Sequence, residues 1–107
     1  MKQPYDILIE PAVHAEAKRL RGHIRQRMKR TIKKLGNNPR PHKSEGLDMT
    51  GLGVPAGIEL RRLRIDKWRL IYAVSDSEKW VWVGAIRQRP PYDYEDLSEL
   101  IQQLLGF

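Results

Sequence analysis

The sequence predicts an α+β fold, and three patterns carry the prediction. An apolar stripe at helical spacing runs from about Ala12 to Leu35. Three apolar-rich segments between Ile58 and Arg87 are joined by short turns, so they should pair as antiparallel hairpins. A last segment repeats Leu97, Leu100, Ile101, Leu104 and Leu105, the spacing of an amphipathic helix.

"YDILIE", Tyr5 to Glu10, alternates weakly and reads as a first strand. Pro11 suits the first turn of a helix, where its missing N–H costs nothing. Val13, Ala17, Leu20 and Ile24, then Met28, Ile32 and Leu35, form the stripe, and Gly22 divides it into two helices. "GNNP", Gly36 to Pro39, stops the second helix. Residues 37–57 are rich in Gly, Pro, Asn and Ser and read as a long connection.

The strands follow at Ile58 to Ile65, Trp68 to Val74 and Trp80 to Arg87. Asp66-Lys67 and "SDSEK" supply the turns. The second strand is apolar on both faces, which predicts a central position. In the first, Ile58 and Leu60 share one parity while Leu63 and Ile65 share the other. That change predicts a β-bulge or a strong twist at Arg61-Arg62. Pro90-Pro91 should end sheet pairing, since neither can donate to a ladder. Asp93 can cap the last helix, with Glu95 and Asp96 at the positive end of its dipole. A chain of 107 residues suits one small domain spanning 1–107.

The net charge of +7 makes a polyanion a leading partner. Lys18, Arg19, Arg21, Arg25, Arg27, Lys29, Arg30, Lys33 and Lys34 line the outer face of the helices, and no acid occurs from Ala17 to Ser44. Such a run is either a solvated helix face or a phosphate-tracking surface. A helix built for solubility usually mixes signs to gain i,i+4 pairs, and this one forgoes them. Cysteine is absent, which excludes disulfides and thiolate zinc sites. No signal-like N-terminal stretch and no run of ~20 apolar residues is present, so the expected compartment is the cytoplasm, without a membrane. His14, His23 and His42 share no ligand spacing, and no metal or cofactor is expected.

Arg61, Arg62, Arg64, Arg69, Arg87 and Arg89 lie on or at the ends of three adjacent strands. Any one of them reads as structural. Together, on strands ~4.8 Å apart, they can converge on one phosphate, for which the planar guanidinium is suited. Tyr92 and Tyr94 read as packing for the last helix, or as stacking or proton-transfer groups beside that phosphate. Trp68, Trp80 and Trp82 read as core. No nucleotide-binding glycine motif, catalytic triad or clustered carboxylate set appears. A nuclease of this composition would use the RNA 2′-hydroxyl as its nucleophile and arginines to stabilise the phosphorane.

"ELRRLRIDKWRLIYAV" followed by "VWVGAIRQR" resembles the sheet of the RelE/ParE toxin superfamily of type II toxin–antitoxin systems. "LIEPAVHAEAKRL", the basic helix ending in "NNP", and "LDMTGL" are similar to the family's first half, so the resemblance spans nearly the whole chain. It implies an N-terminal strand and helical hairpin packed on a twisted antiparallel sheet. For the RelE branch it implies a metal-independent endoribonuclease cutting mRNA on the ribosome and inhibiting translation. For the ParE branch it implies a non-catalytic gyrase poison. In either, a cognate antitoxin wraps the toxin and mediates any contact with operator DNA; a regulatory, antitoxin-bound module is a further alternative.

Carried over by motif, Arg69 in "WRLIY" matches the strand arginine at the scissile phosphate, and Arg62 the basic residue of the preceding strand. Arg87 or Arg89 matches the basic residue ending the last strand, and Tyr92 or Tyr94 the tyrosine near the C-terminus. Lys18, Arg25, Lys29, Lys33, Lys34 and Arg64 would bind RNA, including rRNA. The chain departs from the pattern at Leu60, where a lysine can stand, and at Gln88, where His or Lys is usual.

Overall fold

A computed structural model describes residues 4–88 and 97–105. The elements are β1 (Asp6–Ile9), α1 (Pro11–Lys18), α2 (Gly22–Leu35), β2 (Ser44–Gly46), β3 (Ile58–Ile65), β4 (Trp68–Ser75), β5 (Trp80–Gln88) and α3 (Leu97–Leu105). Pro11 opens α1 as expected, and the stripe does divide into two helices.

The five strands form one sheet in the order β1-β5-β4-β3-β2, which puts β4 at the centre. The hairpins β3–β4 and β4–β5 are antiparallel, as the short turns require. The sheet is nevertheless mixed. β1 joins it parallel to β5, because the two helices and three strands between them carry the chain back to the same edge. A short strand, β2, also emerges inside the segment expected to be connection, pairing antiparallel with β3.

The two faces of the sheet bury separate cores. On one face, Val13 and Ala17 of α1, Leu20 of the turn, and Ile24, Met28, Ile32 and Leu35 of α2 pack on Leu63, Leu70, Tyr72, Val74, Val81, Val83 and Ile86. On the other, Leu100 and Ile101 of α3 pack with Leu60, Ile71, Ala73, Trp82 and Ala85. The parity change in β3 therefore has a different cause from the one expected. No bulge occurs at Arg61-Arg62, and β3 pairs with β4 in unbroken register from Ile58 to Ile65. Its apolar residues switch sides because Leu60 serves one core and Leu63 and Ile65 serve the other.

The bulge lies in β5. Ile71 pairs with Ala85 but Tyr72 pairs with Val83, leaving Gly84 as the extra residue. A Cβ there would come within 2.4 Å of the Trp82 ring, so the residue must be glycine for the indole to lie across it. The tryptophans serve the core as expected: Trp82 is buried, and Trp68 and Trp80 pack partly buried against the two clusters. Among the described residues no helix is long and apolar enough to cross a membrane.

Candidate phosphate-binding site

The strand register builds a row of arginines. Arg64 of β3 stands opposite Arg69 of β4, which stands opposite Arg87 of β5. Directly opposed residues share a face, and Arg62, two residues before Arg64, shares it too. The bulge at Gly84 decides this for Arg87. Before it the even-numbered Trp82 faces the α3 core; after it the odd-numbered Ala85 does, and Arg87 follows that parity.

The guanidinium groups are held differently. Arg69 is only 9% exposed. Its Nη1 donates to the Trp68 carbonyl at 3.0 Å and the Asp66 carbonyl at 3.3 Å. Asp66 occupies the β3–β4 turn with φ of +56°, a conformation that Asp tolerates better than most residues. The hairpin turn thus orients the arginine and offsets part of its desolvation. Arg62 is ion-paired with Glu45 of β2. Arg87 donates to Glu16 of α1 at 3.2 Å and to its own-strand Ile86 carbonyl at 3.1 Å. Arg64 is exposed.

A polar pocket of about 350 Å³ collects three of these arginines, Arg62, Arg64 and Arg69, together with His42, Lys43, Ser44 and Glu45. Arg87, in the same row, is not among the lining residues and is turned towards α1. Arg89, Tyr92 and Tyr94 lie outside the described residues, as do Pro90-Pro91 and the acidic start expected for the last helix. Arg61 belongs to the opposite face. It bonds Glu59 at 3.1 Å and the Ser44 hydroxyl at 2.9 Å, so its role is to hold β2 on β3.

His42, Lys43 and Glu45 were not legible as site residues, because they lie in the segment read as connection. Ser44 N–H and Ser44 Oγ both donate to the Pro41 carbonyl, at 2.9 and 2.8 Å, so His42 and Lys43 occupy the centre of a closed turn. That turn is tied down on both sides. Tyr72 Oη donates to the Pro39 carbonyl at 2.7 Å. Arg40 makes a two-pronged bond to Asp76 at 3.1 and 2.8 Å and a third to Glu59 at 3.0 Å. The Arg40 guanidinium, helped by the Tyr5 hydroxyl at 2.6 Å, holds the Asp76 carboxyl down to about 2. The adjacent prolines signal a stiff segment, but nothing local in the sequence says that it folds over the arginines.

Five of the basic helix residues fall into two groups. Lys18, Lys29 and Lys33 rim an apolar groove of about 480 Å³ between β1, α1 and α2. Arg27 and Lys34 rim another, of about 490 Å³, between α2 and β3. Arg25 is half-buried on α2. Of the residues expected to bind RNA, Lys34 and Arg64 therefore border the arginine pocket or its neighbouring groove, and Lys18, Lys29 and Lys33 do not.

Chemically, the pocket presents guanidinium groups to an anion and a carboxylate, Glu45, that can accept a proton. Among the described residues no group of three or more His, Cys, Asp or Glu could hold a metal ion.

Comparison with known proteins gives the lineage. The fold is similar to the archaeal RelE–RelB complex of Pyrococcus horikoshii OT3, with TM-score 0.72 at 20% identity, covering 83% of this chain and 99% of that one. It is also similar to the toxin–antitoxin complex RelBE2 of Mycobacterium tuberculosis (TM-score 0.62, 18% identity, 80% and 99% covered). A mutant E. coli RelE toxin in the free state matches over 98% of this chain and 99% of its own, with TM-score 0.58 and 17% identity. No curated protein sequence matches the chain significantly. The family profile described as the ParE toxin of the type II toxin–antitoxin system parDE matches residues 7–89. The chain is therefore a member of the ParE toxin family of type II toxin–antitoxin systems, built on the α+β fold that it shares with RelE toxins.

Proposed function

We propose that this toxin is a metal-independent endoribonuclease that cuts mRNA, in association with the ribosome, and so inhibits translation. The pocket that gathers Arg62, Arg64 and Arg69 beside Glu45 is the observation that carries the reading. In the proposed reaction the 2′-hydroxyl attacks the adjacent phosphorus and its proton passes to Glu45. The P–O5′ bond breaks, leaving a 2′,3′-cyclic phosphate. The departing 5′ oxygen takes a proton from Tyr92 or Tyr94, which follow β5 in sequence. The arginines balance the charge that builds on the phosphorane; Arg87, on leaving Glu16, and Arg89, two residues on in sequence, add to it. Preorganised charge of this kind is commonly the largest single contribution to such a rate. Lys18, Arg25, Lys29 and Lys33 hold rRNA. The partners are a cognate antitoxin, as in the RelE complexes above, and operator DNA reached through it; the site of action is the cytoplasm.

Expression of wild type against Arg69→Ala tests this reading. Growth arrest with mRNA cleavage in the wild type alone is expected, and intact mRNA in both would sink it. A second reading, a non-catalytic gyrase poison, is favoured by the match to the ParE profile. Growth arrest with DNA damage and intact mRNA selects it.

A further inference from the structure

The arginine pocket and the α2–β3 groove are not separate features. His42, Lys43 and Arg64 line both. β2 begins opposite Leu63, so Arg64 and Ile65 extend past it, and His42 and Lys43 of the turn before β2 line both cavities there. The groove beyond has an apolar floor of Leu35, Pro41, Leu63 and Ile65. Arg27, Lys34, Lys43 and Arg64 supply its charge, and none of its lining residues is acidic.

We infer that single-stranded RNA held at the arginine pocket continues over the sheet edge into the α2–β3 groove. There the His42-Lys43 turn, Arg27 and Lys34 grip the next phosphates. The inference rests on the ribonuclease reading and extends it from a single phosphate to a strand path. A cationic groove that tracks the backbone, with a ring for a base to stack on, is the general form of a single-strand site, and here His42 supplies the ring. Continuity favours RNA over an acidic peptide. The occupant of the groove must share His42, Lys43 and Arg64 with the occupant of a pocket whose guanidinium cluster suits phosphate. The turn is also preorganised, being closed by Ser44 on Pro41 and anchored through Pro39 and Arg40. Little ordering remains to oppose binding.

The test measures binding of a 2′-O-methyl RNA dinucleotide and hexanucleotide, which cannot be cleaved, to the full chain across a salt series. Wild type should bind the hexanucleotide roughly tenfold or more tightly than the dinucleotide at moderate salt. Arg27→Ala/Lys34→Ala alters two exposed α2 positions that lie outside the arginine pocket. It should remove most of that advantage, leave dinucleotide binding unchanged, and lower the log–log salt slope by roughly 0.7 for each phosphate no longer neutralised. Retention of the length advantage in this variant overturns the strand path. So does loss of binding only towards an acidic peptide. Equal binding of both oligonucleotides by wild type overturns it as well. If wild type binds neither, or if Arg69→Ala binds both as well as wild type does, the ribonuclease reading itself fails.

Discussion

The two grooves that flank α2 are nearly the same size, each is floored by aliphatic side chains, and each is rimmed by cations. What separates them is the neighbour at the open end. The groove beside β1 meets α1 and ends on the parallel edge strand. The groove beside β3 opens through His42, Lys43 and Arg64 into the arginine pocket. Charge on a helix therefore does not distinguish the two grooves, whereas continuity with the arginine pocket does. On the proposed reading, a cationic rim grips RNA only where it continues that pocket.

The largest effect should come from removing the buried guanidinium of the pocket that only one of the grooves joins. Arg69→Ala should lower RNA cleavage by roughly 10²–10³-fold, the loss seen when one preorganised charge-stabilising donor is deleted. A rate assay on a defined RNA measures this, and a change under threefold would contradict the assignment.

Next in size is Gly84→Ala. The new Cβ would collide with the Trp82 ring, at a cost of roughly 1–3 kcal/mol in denaturant unfolding. Since the bulge also sets the side on which Arg87 emerges, this variant separates the fold's contribution to the row from the chemistry of Arg69.

A smaller effect is expected at the turn anchor. Arg40→Ala breaks exposed ion pairs and should cost no more than about 1 kcal/mol. It should still speed amide exchange at Ser44, whose N–H closes the turn. Acid should act in the same way. A carboxylate whose pKa falls on folding stabilises the fold above its unfolded value and loses that contribution as pH drops through the folded one. For Asp76 the window runs from about 4 down to about 2. The protection of the Ser44 amide, relative to its intrinsic exchange rate, should fall across it in wild type, and Asp76→Ala should remove that fall.

The smallest effect sharpens the comparison. Lys29→Ala/Lys33→Ala removes as much charge from α2 as Arg27→Ala/Lys34→Ala does, but from the other groove. RNA hexanucleotide affinity should change by less than about threefold, from loss of general field alone. An equal loss in both double variants would mean that net charge, and not the path beside β3, governs binding.

Much was legible because it is local. Helical period places Arg27, Thr31 and Lys34 on one flank of α2 and Lys29 and Lys33 on another, and strand alternation separates Leu70, Tyr72 and Val74 from Arg69, Ile71 and Ala73. Local patterns specify these stripes, the helix pair, the hairpins and the basic strand positions, since each depends on backbone geometry over a few residues. The tertiary structure alone decided which flank borders the pocket. It moved the expected bulge from β3 to Gly84, where the Trp82 ring lies across the backbone, and so brought Arg87 into the row. It turned part of the connection into β2, and it set His42 and Lys43 over the arginines. That last placement depends on Arg40 reaching Asp76, 36 residues away, and on Tyr72 reaching Pro39, 33 residues away. No local pattern encodes such pairings, because they exist only once the sheet has brought distant segments together.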